Sequence, residues 1–148
     1  MQKLWFLLFS ITTLTFIACE SEQHHDDDID SLTFEYSLNI ISPSVDDKKV
    51  DDSIHLHVNF DEAHGETVHH INVKIYEAGN PENVIFNGPD DAHVHNESGH
   101  HEFQSDFILS NENGINEHTD WVMEARVWGH EDGLNEQQTS QQFHVHPN

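Results

Sequence analysis

Apolar and polar residues alternate one by one along several short segments of this 148-residue chain. Segment 54–60 shows the pattern clearly, because polar residues separate its apolar ones: Ile54, Leu56, Val58 and Phe60. Successive side chains of a β-strand point to opposite faces, so a period of two indicates a strand with one buried face. The same alternation, or a short apolar run, recurs at 34–41, 71–76, 84–86, 103–109, 121–128 and 143–146. No segment has a helical period, and the chain is therefore predicted to be all-β.

About seven short strands separated by turn-rich segments favour a β-sandwich, in which two sheets bury their apolar faces against each other. Residues 40–44, Ile-Ile-Ser-Pro-Ser, resemble the opening strand of bacterial immunoglobulin-like or fibronectin-type domains. Residues 121–127 and the Gly- and Asn-containing turn at 129–135 resemble the penultimate strand of these domains and the turn that follows it. The resemblance covers residues 32–146. It implies a single immunoglobulin-like or fibronectin-type β-sandwich, and it implies no activity.

The first nineteen residues have the features of an export signal. A short, positively charged start that contains Lys3 precedes an apolar run of about fourteen residues. The chain's one cysteine, Cys19, follows Ala18. A membrane-spanning helix needs about twenty apolar residues, so this run is predicted to direct export rather than to span a membrane. The sequence Phe16-Ile17-Ala18-Cys19 resembles a bacterial lipoprotein signal. That resemblance implies that Cys19 is lipidated and anchors the protein to a membrane.

Residues 19–31 are acidic and nearly free of apolar side chains, so they are predicted to form a flexible tether. Acidic residues directly after the cysteine resemble the surface-export signal of Bacteroidetes lipoproteins, some of which carry immunoglobulin-like domains of unknown function. This resemblance implies an outer-membrane lipoprotein that faces the cell surface. The expected organisation is a signal peptide at 1–18, the tether at 19–31 and a β-sandwich domain at 32–148.

Histidine and acidic residues dominate the polar composition. The chain has 15 histidines, 28 acidic residues and five basic residues, which give a formal net charge of −23. Nucleic acid is disfavoured as a partner, because phosphate binding needs clustered lysine and arginine. The negative field attracts cations. Since imidazole is the commonest protein ligand for transition metals, the composition predicts binding of a divalent metal ion.

The densest histidine segment is predicted to be the principal metal site. Four histidines lie within nine residues, with a probable turn at 96–99 between the two pairs: His93, His95, His100 and His101. A hairpin at this turn would place histidines of one strand opposite those of the next. Three or four nitrogen and oxygen ligands would then converge, as zinc or copper(II) requires.

A second group of candidate ligands follows from the immunoglobulin-like topology. The loops after the second, fourth and sixth strands meet at one pole of such a sandwich, and the first and third of these loops would bring His64, His69 and His130 to the segment just described. His118 is expected at the opposite end, and His70 is expected to face solvent. Two His-x-His pairs on exposed sheet faces are secondary candidates: His55 with His57, and His144 with His146. The other interpretation is that these histidines are polar residues on a solvated sheet face and bind no metal.

The ligand types favour zinc. Cys19 is the only thiol and Met123 belongs to an apolar face, so copper(I), which prefers sulfur, is disfavoured. Copper(II) and nickel are alternatives that accept the same ligands. Calcium is less favoured, because the acidic segments 26–28 and 131–136 lack the spacing of a helix-loop-helix calcium site. The chain contains no Gly-x-Ser-x-Gly or His-Glu-x-x-His motif, and it is not predicted to be an enzyme.

Two functions are compatible with these features. The first is a surface lipoprotein that captures or buffers divalent metal, or delivers the ion to an outer-membrane importer. The alternative is a non-catalytic module that binds a protein or a glycan through a pH-sensitive, histidine-rich surface. Trp128 favours this alternative, because it is predicted to face outward beside Arg126 and Tyr76. An exposed aromatic side chain can stack on a sugar ring or on a partner.

Overall fold

The computed structural model describes residues 34–94 and 98–148, and these residues form a chain of β-strands. The strands are β1 (Tyr36–Ser42), β2 (Lys48–Lys49), β3 (Ser53–Glu62), β4 (His70–Glu77), β5 (Asn80–Gly88), β6 (His100–Ile108), β7 (Thr119–Trp128) and β8 (Gln137–His146). One turn of 3-10 helix lies at Asn111–Asn113. Among the described residues no helix is long and apolar enough to cross a membrane. The predicted signal peptide, the tether, Cys19 and His95 lie outside the described residues.

The strands form two sheets. One sheet has three antiparallel strands in the order β1-β3-β6, and the other has five strands in the order β2-β8-β7-β4-β5. Neighbouring strands are antiparallel throughout, except that β2 runs parallel to β8. The predicted all-β sandwich is therefore confirmed.

The core lies between the two sheets, where the alternating apolar residues of each strand meet. The three-stranded sheet contributes Leu56, Val58 and Phe60 from β3, which are fully buried. The five-stranded sheet contributes Trp121 and the predicted core residue Met123 from β7, and both are also fully buried. The hydrophobic effect of burying these side chains holds the two sheets face to face.

Two edge strands differ from the expectation. β2 was not predicted, because its two residues, Lys48 and Lys49, cannot show an alternation. β5 extends over 80–88, whereas the apolar signal covers only 84–86. β5 lies at the edge of its sheet and most of its residues are exposed or half-buried, so little of its length needs apolar side chains. An edge strand is therefore longer in the structure than its hydrophobic pattern indicates.

Two isoleucines test the assignment of buried and exposed faces. Ile75 of β4 is fully buried, and Ile41 of β1 is 48% exposed. We expect Ile75→Ala to lower the free energy of unfolding by about 2–5 kcal/mol, because it removes buried methylene groups and leaves a cavity. The matched change Ile41→Ala should cost about 0.5 kcal/mol or less. Urea denaturation of both variants measures the difference, and equal losses would contradict the arrangement of the sheets.

Candidate metal centre

Three histidines meet at the end of the sandwich where β7 begins and β8 ends, which we name the basal pole. His118 lies immediately before β7, and His144 and His146 lie on β8. Each offers one ligand nitrogen, and the three nitrogens all lie within 4.8 Å of one another. In the described part of the chain this is the one group of three potential ligands that meets so closely. We name these three histidines the basal triad.

The register of β7 and β8 assembles the basal triad. Val145 is fully buried between His144 and His146, so both histidines lie on the outer face of the sheet. Thr119 pairs with Val145, and the backbone N–H of His118 donates to the carbonyl oxygen of Val145 at 2.8 Å. The ring centres are 4.6 Å apart for the two β8 histidines, and 6.5 Å and 6.2 Å from His118 to His144 and His146.

Two carboxylates orient the imidazoles of β8. Asp120 Oδ1 lies 2.7 Å from Nδ1 of His144, its cross-strand neighbour. Asp47 Oδ2 lies 3.1 Å from Nε2 of His146. A carboxylate that accepts the ring N–H of a histidine fixes the tautomer and raises the basicity of the other nitrogen. Nε2 of His144 and Nδ1 of His146 are thus the nitrogens left to bind an ion.

The spacing of the triad is compatible with a tetrahedral metal ion. Zinc–nitrogen bonds of about 2.0–2.1 Å place two ligand nitrogens about 3.4 Å apart in a tetrahedral site. The nitrogens of the triad therefore have to close by at most about 1.4 Å, which side-chain rotation can supply because His118 is exposed and the other two rings are half-buried. Three protein ligands leave a fourth position for water or another ligand.

The sequence predicts only part of this triad. His144 and His146 are a secondary pair and His118 is expected at the end opposite to the principal site, but nothing in the local sequence joins the three. In an antiparallel pair, the residue before one strand lies beside the end of the next strand. The third histidine can be joined to the pair only when it is known that β7 and β8 are neighbours and where their pairing begins.

At the opposite end of the sandwich, which we name the apical pole, the β3–β4, β5–β6 and β7–β8 loops come together. The rings of His69 and His130 are 3.8 Å apart, and those of His70 and His93 are 5.0 Å apart. We name these four residues the apical cluster. The structure thus places His69, His93 and His130 at one pole, as the immunoglobulin-like topology predicts. His70, expected in solvent, is half-buried and Nδ1 of its ring lies 2.8 Å from the carbonyl oxygen of Gly129.

The predicted hairpin between His93 and His100 is wrong. His93 forms an isolated bridge with His70 of the five-stranded sheet. His100 and His101 lie on β6, where they pair with Asp61 and Phe60 of the three-stranded sheet. The physical reason is that the segment between β5 and β6 crosses from one sheet to the other. The two halves of the dense histidine segment therefore join different sheets instead of facing each other.

His100 and His101 lie next to each other on β6 but have different surroundings. His100 Nδ1 lies 2.6 Å from Asp61 Oδ1, and this contact, with a second one to Glu102, raises the pKa of His100. Burial, with a smaller contribution from His100, lowers the pKa of His101.

The pair on β3, in which His55 is exposed and His57 is half-buried, lacks a third ligand. The rings of His55 and His57 are 6.0 Å apart, and His55 Nδ1 lies 2.8 Å from Asp106 Oδ1. Within the described ranges no third ligand atom comes as close to this pair as in the basal triad. It has the same His-x-His spacing as the pair on β8, and it is therefore a natural control.

Glu62 organises the β3–β4 loop at the apical pole. Its buried carboxylate accepts backbone N–H groups of His64 and Glu66 at 2.8 Å and 2.9 Å, and of Glu35 at 3.2 Å. His64, a predicted ligand, directs Nδ1 to the same carboxylate at 3.0 Å. Burial raises the pKa of Glu62, but these hydrogen bonds together outweigh it and hold the pKa below its usual value.

Trp128 is on the outer face of its sheet, as predicted, but it is not exposed. The side chain is only 8% exposed. The ring of His70 stacks on it with centres 5.4 Å apart, and the Arg126 guanidinium lies 4.3 Å from the ring centre on the same outer face. Tyr76 donates a hydrogen bond to Glu124. Because two side chains cover the indole, it is not available to stack on a sugar or a partner.

The fold and these poles define a β-sandwich of immunoglobulin-like class with histidines gathered at both ends. No family model and no curated protein matches the chain. Among solved structures, the crystal structure of a CARDB domain from Pyrococcus furiosus, in complex with di-metal ions, is similar, with a TM-score of 0.50 and 13% sequence identity. The similarity covers 78% of this chain and 96% of that domain. A solution NMR structure of the same archaeal domain gives a TM-score of 0.50 at 14% identity, covering 76% and 95%. These similarities confirm the immunoglobulin-like fold.

The hydrogen bonds to Glu62 generate a prediction about stability and pH. Folding lowers the pKa of this carboxyl, so the ionised group stabilises the folded protein. The stabilisation is present above the pKa of an unfolded glutamate, about 4.3, and it is lost as pH falls through the lower pKa of the folded state. Glu62→Gln should therefore reduce the free energy of unfolding by about 1–3 kcal/mol at pH 7, and by less at pH 3.5. Urea denaturation at both pH values measures this difference.

Glu82 of β5 provides the control for this measurement, because it is an exposed glutamate on the same domain. Glu82→Gln should leave the free energy of unfolding nearly unchanged at both pH values. A Glu62→Gln variant as stable as the parent at pH 7 would show that the loop does not depend on this carboxylate.

Proposed function

We propose that this protein is a membrane-anchored surface lipoprotein that binds a divalent transition metal ion, zinc in the first instance, through the basal triad. The single observation that carries the proposal is the approach of three ligand nitrogens, from His118, His144 and His146, to within 4.8 Å of one another. Imidazole is the ligand that zinc, copper(II) and nickel share. The role of the bound ion would be capture, buffering or delivery to an outer-membrane importer.

Three further features support metal binding at this site. Asp120 and Asp47 orient two of the three rings, as carboxylates do around protein-bound zinc. The net charge of −23 concentrates cations around the molecule. A domain of similar fold was crystallised in complex with di-metal ions, and at 13% identity this shows that the fold can accommodate metal without identifying the ligands.

The chemistry of the triad selects among metals by ligand type. All three groups are imidazoles, and no sulfur ligand belongs to the site, which disfavours copper(I). Calcium needs six to eight oxygen ligands and is a poor fit to three nitrogens. Zinc binds three imidazoles and one further ligand readily. Copper(II) and nickel remain alternatives that a competition experiment can rank.

Capture and delivery both need an ion that can leave. Three protein ligands leave one position open, and His118 is exposed, so an incoming ligand can reach the ion directly. The location at the cell surface rests on the lipoprotein signal, Cys19 and the acidic residues after it. Bacteria of a strain without the protein should then accumulate less zinc under starvation. The alternative function as a glycan or protein module loses its main support, because Trp128 is buried.

Calorimetric titration with zinc tests the proposed site on the full chain carrying Cys19→Ser, so that no thiol contributes. His118→Ala with His144→Ala should remove one binding event of the parent, because a single remaining imidazole binds zinc weakly. The same event should weaken strongly between pH 7.5 and pH 5.5, because only neutral imidazole binds metal.

The control is His55→Ala with His57→Ala, which removes a pair of identical spacing from the other sheet. This variant should keep the binding event of the triad. If it loses binding as much as the triad variant does, or if the triad variant binds as the parent does, the basal triad is not the site.

A further inference from the structure

We propose that a second transition-metal ion binds at the apical pole, held by His69 and His130, with His70 as the third ligand. This inference concerns the same class of ligand as the proposed function but different residues at the opposite end of the sandwich. Either site can therefore exist without the other.

Backbone hydrogen bonds fix the elements that carry these histidines. The N–H of Val94 donates to the carbonyl oxygen of His69 at 2.7 Å, and the N–H of Ile71 donates to that of Ala92 at 2.9 Å. These bonds hold the β5–β6 segment along the start of β4. The N–H of Gly129 donates to the carbonyl oxygen of Leu134 at 2.8 Å and closes the β7–β8 loop that carries His130. The histidines thus project from a defined framework rather than from independent loops.

His69 has an unsatisfied nitrogen at the centre of the cluster. Its Nδ1 is buried and has no hydrogen-bond partner within residues 34–94 and 98–148. Buried polar atoms of native proteins nearly always have a partner, so this nitrogen has the capacity to take a further ligand.

The ring positions are close to those that a shared ion requires. Two imidazoles on one tetrahedral zinc have ring centres about 5 Å apart. The ring centre of His69 lies 3.8 Å from that of His130 and 6.4 Å from that of His70. The ligand atoms of these three residues do not all lie within 4.8 Å of one another, as those of the basal triad do, so coordination requires the rings to rotate. His130 is exposed, so its ring can move the short distance that coordination demands.

The hydrogen bond of His70 prepares it as a ligand. Its Nδ1 lies 2.8 Å from the carbonyl oxygen of Gly129, and a carbonyl only accepts, so Nδ1 carries the hydrogen and Nε2 carries the lone pair. Such a bond to a backbone carbonyl is the usual support of a metal-binding histidine. The ring of His70 also stacks on Trp128 at 5.4 Å, which holds it in place.

The charges around the cluster favour a cation. The β5–β6 loop carries Asp90 and Asp91, and the β7–β8 loop carries Glu131 and Asp132. The basic side chain nearby is Arg126, and it is paired with Asp132 at 3.2 Å and with Glu136 at 3.7 Å. Its positive charge is therefore largely compensated, and the pole as a whole remains negative.

Imidazole NMR during zinc titration tests this site in the full chain carrying Cys19→Ser, His118→Ala and His144→Ala. The basal triad is absent from this protein, so any remaining site is separate from it. One equivalent of zinc should shift the ring resonances of His69, His70 and His130 and leave those of His55 and His57 unchanged. Adding His130→Gln should weaken zinc binding at least tenfold, because it removes one ligand.

His64→Gln is the matched control, since His64 is an exposed histidine of the same pole that contacts Glu62 instead of the cluster. It should leave the affinity within about twofold of the background protein. Unchanged His69 and His130 resonances, or zinc binding that His130→Gln does not weaken, would overturn the apical site. Such a failure leaves the proposed function intact if the parent chain still binds zinc through the triad. If the parent chain does not bind zinc through the triad but His130→Gln weakens zinc binding, only the apical site remains.

Discussion

Strand β7 is the constraint on which the rest of the structure depends. It pairs with β4 on one side and with β8 on the other, and its inward residues Trp121, Met123, Ala125 and Val127 are fully buried. Because these side chains fix the register of three strands at once, a slip of one residue would turn the buried set toward solvent. The same register places His118 at one end of β7 and His130 just beyond the other. Both histidine clusters are thus consequences of one buried strand.

The alternation of residues was sufficient to predict the sandwich, because a half-buried strand must alternate in order to bury one face. Segments 54–60 and 121–128 did so almost without exception, and both are central strands. The signal failed at the edges, where β2 and most of β5 bury too little to need apolar residues. It also could not reveal that the chain crosses between sheets after Gly88, since a crossover and a hairpin turn have similar local sequences.

The candidate sites were less predictable than the fold for a related reason. A histidine pair such as His144 and His146 is local and can be read from spacing, whereas its third member, His118, is 26 residues away. Only the pairing of β7 with β8 joins them. His69 and His130 lie at one pole, as the immunoglobulin-like topology predicts, because the positions of the loops follow from the architecture. Trp128 was misjudged because facing outward from a sheet does not mean being exposed when His70 and Arg126 cover the indole.

The contact between Phe34 and His69, with ring centres 5.0 Å apart, determines where the chain enters the domain. The entry point lies at the apical pole, one full length of β7, or about 33 Å, from the basal triad. That distance is roughly four Debye lengths at physiological salt, so an ion bound at one pole would scarcely repel an ion bound at the other.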